Sequence, residues 1–257
     1  MKTYILFIIV LTLFTLNGCN QFKSDHPQTK LSDPHQTTDA NAENILEYQK
    51  DVENNIKSAQ AQQSLVYMLG DLSFYVESYG DNILIEHAYN GGESTSLKKY
   101  YFRNDSLLLY QTRSELASDD NTVFKDERVY MRNHTVFRID GRMAASESTV
   151  EELPFIDIPL SQNPNPDKNY LDNVTVLRDV LRGENKFEML FESIRTFPDA
   201  RYITLRSREQ NGYTASILVK ERDAFIDSLL NYPNLFKDKR LQINWEIKDR
   251  EAVYLPK

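Results

Sequence analysis

The sequence predicts an α+β protein, in which an N-terminal helix lies on an antiparallel β-meander and a smaller α+β unit with a β-hairpin follows. An apolar stripe of helical spacing comes first. Short β-rich runs then alternate with turn residues over residues 65–143. Beyond residue 173, helical and strand patterns are mixed around an Asn-Gly pair. Because the connections in the meander are too short to hold crossover helices, its strands are expected to be antiparallel.

The helix is predicted from Glu43 to about Gln62. Its apolar residues recur every three or four positions, which places them on one face of a helix: Ile45, Tyr48, Val52 and Ile56. The stripe is narrow, and an antiparallel sheet has one face to cover. We therefore expect this helix to cover one face of the meander, within a folded unit over residues 43–143.

Six strands are predicted for the meander. Turn-forming residues such as Gly80-Asp81-Asn82 and Asn90-Gly91-Gly92 separate them. The runs rich in β-branched and aromatic residues are Leu72–Tyr79, Ile83–Tyr89, Leu97–Arg103, Leu107–Arg113, Thr122–Met131 and Thr135–Ile139.

A connector with little regular structure is predicted over residues 144–172, where four prolines interrupt any periodic pattern. The C-terminal unit, residues 173–257, is predicted to contain helices, a hairpin and two closing strands. The hairpin surrounds Asn211-Gly212, a pair typical of two-residue type I′ turns. In order, the elements are helices Val174–Leu181 and Lys186–Phe197, strands Arg201–Arg208 and Tyr213–Lys220, helix Asp223–Asn231, and strands Leu241–Lys248 and Ala252–Leu255.

The N-terminus has the pattern of an export signal. An apolar stretch, Tyr4–Leu16, follows Lys2 and is shorter than the roughly 20 residues that a membrane-spanning helix needs. It ends in Leu16-Asn17-Gly18-Cys19. This sequence resembles the lipobox of bacterial lipoproteins, which has an aliphatic residue, two small residues and a cysteine. Asn17 departs from that pattern, and the resemblance covers only about the first 20 residues.

The resemblance implies that residues 1–18 are removed as a signal peptide and that Cys19 receives acyl chains such as palmitate. Each acyl CH₂ buried in a bilayer contributes about 0.8 kcal/mol to the anchor. The polar residues 19–42 are then a disordered tether. The expected location is a bacterial cell envelope, with the outer membrane favoured because Asn20 is not the aspartate of inner-membrane retention. A plain signal peptide with an incidental cysteine and an uncleaved anchor are the alternatives.

Composition narrows the function classes. The formal net charge of −8 and the lack of a basic block argue against nucleic acid as a partner, and a single cysteine excludes an internal disulfide. No G-x-S-x-G, H-E-x-x-H, C-x-x-C or phosphate-loop pattern occurs. The alternating Asn163, Asn165, Asp167 and Asn169 echo a calcium loop, but Lys168 stands where that loop needs glycine. We therefore expect no catalytic residue, no cofactor and no metal.

The meander is rich in tyrosine, and four of these residues are the candidates for a binding face: Tyr75, Tyr100, Tyr101 and Tyr110. Tyrosine suits protein or glycan recognition, and it is equally a common strand former. The expected function is a lipid-anchored binding or accessory module that recognises an envelope protein, a peptide or a glycan. The alternatives are a hydrolase whose site forms only on folding and a structural subunit of an envelope complex.

Overall fold

One large antiparallel sheet dominates the computed structural model, which describes residues 40–92, 94–117, 121–163 and 168–256. The expected signal peptide, Cys19 and residues 19–39 of the expected tether lie outside these residues. Residues 40–42 belong to the first helix instead of the tether, and Ala42 is buried.

Five α-helices occur in the described part of the chain: α1 (Ala40–Ile56), α2 (Glu147–Glu152), α3 (Tyr170–Arg182), α4 (Ala224–Asn231) and α5 (Pro233–Phe236). The strands are β1 (Gln62–Gln63), β2 (Tyr67–Leu69), β3 (Leu72–Tyr79), β4 (Ile83–Asn90), β5 (Ser94–Arg103), β6 (Ser106–Ala117), β7 (Thr122–Arg132), β8 (Thr135–Ala144), β9 (Ile156–Asp157), β10 (Met189–Thr196), β11 (Arg201–Ser207), β12 (Thr214–Leu218), β13 (Asn244–Lys248) and β14 (Glu251–Leu255).

The strand order is β10-β11-β12-β2-β3-β4-β5-β6-β7-β8-β9. Strand β1 also pairs with β3. Strand β14 pairs with β12 in parallel and with β13 in antiparallel orientation. All six predicted meander strands are confirmed as β3 to β8, and they pair in chain order. The α+β class, the large antiparallel sheet and the N-terminal helix are likewise confirmed.

Helix α1 covers one face of the meander. Its apolar stripe packs against side chains from four neighbouring strands, Ile83, Tyr101, Leu109 and Tyr130, which are all fully buried. We call this side of strands β4 to β8 the helix face. Successive strand residues point to opposite faces, so Tyr100, Tyr110 and Val129 belong to the larger cluster on the other side.

Helix α3 contributes to that larger cluster through Tyr170, Val174, Leu177 and Val180. The Asn169 side chain caps its first turn by accepting a hydrogen bond from the Leu171 amide. Gly183 ends the helix in the left-handed conformation, at φ 61°, and its amide donates to the Val180 carbonyl. The predicted helix Val174–Leu181 is therefore confirmed. The observed helix begins four residues earlier, at Tyr170, and ends one residue later, at Arg182.

The helix predicted over Lys186–Phe197 is wrong, because most of this segment is strand β10. A β-bulge lies between Phe191 and Ser193 where β10 pairs with β11. The bulge shifts the alternation by one residue, so Phe191 and Ile194, three positions apart, lie on the same face, opposite Leu205 and Ile203. The resulting spacing of apolar residues imitates a helix.

The hairpin of β11 and β12 is confirmed, but its predicted two-residue turn is wrong. The first paired residue of β12 is Thr214, opposite Arg206, so the connection is longer than two residues. Asn211 has φ 58°, whereas the φ of Gly212 is not positive, and the Gly212 amide donates to the Glu209 carbonyl. A type I′ turn requires positive φ at both residues.

Two other boundaries differ from expectation. Helix α1 ends at Ile56, before the predicted Gln62, because Gln62 and Gln63 pair with β3 instead. The expected connector, residues 144–172, contains the short helix α2, whose first turn is capped by the Ser146 hydroxyl. Its following segment pairs with β8 through β9.

Candidate functional site: an arginine pocket on the helix face

On the helix face, the row of paired residues that contains Tyr101 and Leu109 is apolar on strands β5 to β7. In the next row of the same face, two residues along each strand, the side chains are charged or carry amides. The β-ladder registers place Lys99 opposite Gln111, Gln111 opposite Arg128, and Arg128 opposite Asp140. The next row contains Leu97, Arg113, Asp126 and Arg142 in the same way. Two in-register rows of polar groups therefore cross strands β5 to β8.

A pocket of about 200 Å³ opens over these rows, between α1 and the sheet. Three arginines line it, so we call it the arginine pocket; its residues are Gln49, Glu53, Leu97, Lys99, Gln111, Arg113, Arg128 and Arg142. Gln49 donates from α1 to the side-chain oxygen of Gln111, at 2.7 Å. This hydrogen bond connects the helix to the floor of the pocket.

Asp126 holds two of the arginines in place. Its side chain is fully buried, and its carboxylate accepts from Arg142 Nη2 at 2.9 Å and Nε at 3.2 Å. Gln111 donates to the other carboxylate oxygen at 2.8 Å, and Arg113 lies 3.7 Å away. Arg142 also donates to the main-chain carbonyls of Glu151 and Leu153. These bonds make Arg142 a structural part of the wall.

Arg128 differs from the other three cations of the pocket. No carboxylate of the described residues pairs with it within 4 Å, whereas Lys99, Arg113 and Arg142 each have such a partner. Its Nε atom is buried and has no hydrogen-bond partner among the described residues. The guanidinium carbon lies 3.7 Å from the centre of the Phe155 ring. A buried donor without an acceptor costs about 1–3 kcal/mol, so the Arg128 Nε–H is an unmet hydrogen-bonding group of the pocket.

Glu53 balances Lys99 at the opposite wall. The carboxylate accepts from Lys99 Nζ at 2.8 Å and from the Tyr101 hydroxyl at 2.6 Å. Burial alone raises the pKa of Glu53, but these hydrogen bonds outweigh it and hold the pKa below its ordinary value. Burial, reinforced by the Glu53 carboxylate, raises the pKa of the Tyr101 hydroxyl. The pocket therefore contains ionised Glu53 and four cations.

A neighbouring recess of about 330 Å³ shares Leu97 and Arg113 with the arginine pocket. We call it the Phe124 groove; it is lined among others by His87, Tyr89, Thr95, Glu115, Phe124, Glu147 and Arg250. Arg250 lies over the Tyr89 ring at 4.3 Å, and His87 Nε2 is 3.2 Å from Glu77 Oε2. The two recesses are therefore neighbours on the helix face, and we refer to them together as the depression.

The four tyrosines expected to form a binding face are all buried, with relative exposures of 8% for Tyr75, 1% for Tyr100, 0% for Tyr101 and 2% for Tyr110. Tyr100 and Tyr110 pack together at 5.0 Å in the large core, Tyr75 stacks on His87, and Tyr101 faces α1. These residues therefore do not form an exposed aromatic surface. Alternating apolar positions in the strands place them in the core instead.

The expected lipidation site Cys19 lies outside the described residues, and so do Asn165 and Asp167 of the calcium-like stretch. In the part of the chain that the structure describes, no three His, Cys, Asp or Glu side chains are grouped to hold a metal ion. Within the same residues, none of the helices has the length and apolarity needed to span a bilayer.

Sequence reasoning missed the arginine pocket. A signal for it was present, because charged residues alternate within two consecutive strands: Asp126 and Arg128 in one, Asp140 and Arg142 in the next. In a hairpin, such alternation places all four charged side chains on the same face of the sheet, next to one another on the paired strands. The chain was also compared with known protein families, with curated proteins and with solved structures, and nothing in any of the three comparisons matches it.

Proposed function

We propose that this chain is a lipid-anchored binding module of a bacterial envelope and that the arginine pocket binds the anionic group of its ligand. The anchor follows from the likeness of Leu16-Asn17-Gly18-Cys19 to a lipobox. The binding role rests on one observation, the buried Arg128 Nε that has no acceptor among the described residues.

The pocket is built to hold an oxyanion. Its arginine guanidinium groups present N–H donors in a plane that matches the two oxygens of a carboxylate or phosphate. Arg113 and Arg142 already bind Asp126, which fixes the wall, while Arg128 remains for the ligand. Gln49 and Gln111 add amide groups that both donate and accept. An anion that enters this pocket meets arginine donors whose directions are fixed by these contacts.

Binding is tested by calorimetric titration of the full-length protein in detergent with glucuronate, glutamate and inorganic phosphate, against neutral glucose. At least one of the anions should bind while glucose does not. Replacing Arg128 by Gln should weaken that binding by tenfold or more, because a hydrogen bond to a charged group contributes about 1.5–3 kcal/mol.

A matched control is Arg103→Gln. Like Arg128, Arg103 lies over an aromatic ring, 4.1 Å from the centre of Tyr48, but it does not line the arginine pocket. This variant should bind the anion as the unmodified protein does. The binding role is wrong if no anion binds, or if Arg103→Gln weakens binding as much as Arg128→Gln.

The anchor is tested separately by Cys19→Ala, with membranes washed at high salt. The unmodified protein should remain with the membranes and the variant should be released, because several acyl chains bind a bilayer far more strongly than surface charges do. Retention of the variant in the membrane fraction after the salt wash would contradict the lipid anchor.

A further inference from the structure

We infer that the ligand is an oligosaccharide with a single terminal carboxylate, whose acidic sugar occupies the arginine pocket while neutral sugars follow along the Phe124 groove. This inference rests on the proposed function and names the class of ligand that the same site binds. It is carried by the unequal distribution of charge and of neutral polar groups along the depression.

The two ends of the depression differ in charge. Lys99, Arg113, Arg128 and Arg142 surround the pocket, where Glu53, the buried Asp126 and Glu151, 3.0 Å from Arg113, are the nearby carboxylates. The groove contains Glu115 and Glu147 beside Arg113 and Arg250. One negative charge is therefore favourable at the pocket, where four cations face three carboxylates, whereas a second negative charge further along meets two arginines already balanced by two carboxylates. This pattern suits a ligand with one anionic end and a neutral remainder.

The neutral groups of the depression match the hydroxyls of a sugar. Gln111 borders the pocket and has one N–H and one lone pair beyond its bonds to Asp126 and Gln49, and Thr95 lies in the groove with its hydroxyl near Glu115. Such amide and hydroxyl groups donate and accept hydrogen bonds, as sugar hydroxyls do. Phe124 provides an apolar ring in the groove, on which the C–H face of a sugar packs. The mixture of amide, hydroxyl and aromatic groups around a single available cation distinguishes this site from one for a polyanion.

The spacing requires a ligand longer than one sugar ring. Arg128 and Phe124 share strand β7 and the same face, four residues apart. At about 3.4 Å per residue, their Cα atoms are about 14 Å apart. A carboxylate at Arg128 and a ring on Phe124 therefore belong to different units of an oligosaccharide. The volumes of about 200 and 330 Å³ fall together within the usual range of small-ligand sites.

The test measures the affinity of the full-length protein in detergent for four probes. These are a trisaccharide with one terminal glucuronate, the corresponding neutral trisaccharide, free glucuronate and a triglutamate peptide. The acidic trisaccharide should bind about tenfold more tightly than free glucuronate and at least tenfold more tightly than the other two probes. Arg128→Gln should remove the advantage of the acidic trisaccharide over the neutral one.

A pair of groove variants sharpens the result. Thr95→Val removes a hydroxyl with little change of shape, so it should weaken the acidic trisaccharide several-fold and leave glucuronate unchanged. Glu115→Gln should strengthen the binding of triglutamate, because it removes a carboxylate that repels the additional charges of the peptide.

The carbohydrate inference is overturned if triglutamate binds as tightly as the acidic trisaccharide, or if the neutral sugars add no affinity to glucuronate. In both cases, loss of binding in Arg128→Gln leaves the proposed anion-binding function standing. If none of the anionic probes binds, the proposed function fails together with the inference. The results therefore separate failure of the ligand class from failure of the site.

Discussion

Replacing Asp126 by Asn should be among the most destabilising single substitutions in the sheet. The Asp126 side chain is 0% exposed and Arg142 only 12%, and they share two hydrogen bonds of 2.9 and 3.2 Å. Asparagine keeps the shape of the side chain but removes its charge. It offers one acceptor oxygen, so an N–H donor of the amide faces either Arg142 or Gln111.

The magnitude follows from the partners that remain. Removing one partner of a buried ion pair lowers the free energy of unfolding by about 3–5 kcal/mol, because the other charge is left buried without a partner. Arg142 still donates to the carbonyls of Glu151 and Leu153, at 2.8 and 3.0 Å, so we expect the lower end, about 3 kcal/mol. For a chain of this size, such a loss lowers Tm by about 6–12 °C.

Equilibrium urea unfolding measures the loss through the fluorescence of Trp245, the only tryptophan of the chain. The midpoint should fall while the slope with urea stays unchanged. The control is Asp157→Asn, since Asp157 is 43% exposed and lies 3.7 Å from Arg138; it should cost less than about 1 kcal/mol. Adding Arg142→Met to Asp126→Asn should restore part of the lost stability. Equal losses in Asp126→Asn and Asp157→Asn would refute the argument from burial.

Three further substitutions test other parts of the structure. The folded pKa of Glu53 lies below its ordinary 4.5, so its ionised form stabilises the fold above that pH, and this contribution is lost as the pH falls through the depressed value. Urea unfolding at pH 7 and pH 3 should therefore show Glu53→Gln less stable at pH 7 and with a smaller loss on acidification. Gly183→Ala should lower the free energy of unfolding by about 1–2 kcal/mol in the same urea assay, because its φ of 61° is left-handed; no change in the midpoint would contradict the strained cap. Asp223→Ala should cost about 1–2 kcal/mol by thermal unfolding, because the carboxylate caps α4 at the Ile226 amide and accepts from the Tyr254 hydroxyl at 2.8 Å, whereas Asp223→Asn should retain most of the stability.

The meander was predictable because each of its strands obeys a short-range rule. In β3 to β8, apolar and aromatic runs end at turn residues, and the pairing follows chain order. Strand β10 breaks the same rule at its bulge, and the sequence then gives the spacing of a helix. The error arises because a bulge depends on pairing with β11, which no local window of sequence contains.

The arginine pocket was hidden for a related reason. Its residues come from α1 and four strands, and nothing in the sequence distance between Gln49 and Arg142 indicates that they meet. Tyrosine abundance pointed instead to the buried core, since a tyrosine on a strand packs inward as readily as it binds a ligand. Charged residues at alternate positions of two adjacent strands were the better signal.

The contact of Arg128 with Phe155 explains why this arginine is held in place without an acceptor. A cation–π contact attracts the guanidinium to the face of the ring and contributes about 0.5–2 kcal/mol. The Nε–H bond points outward in the plane of the guanidinium, where a ring packed on its face does not accept it. The Nε–H of Arg128 therefore has no acceptor among the described residues. Phe155 packs against the guanidinium of Arg128, and the oxyanion that we propose would approach in the guanidinium plane instead. That oxyanion would supply the missing acceptor without displacing any ion pair of the pocket.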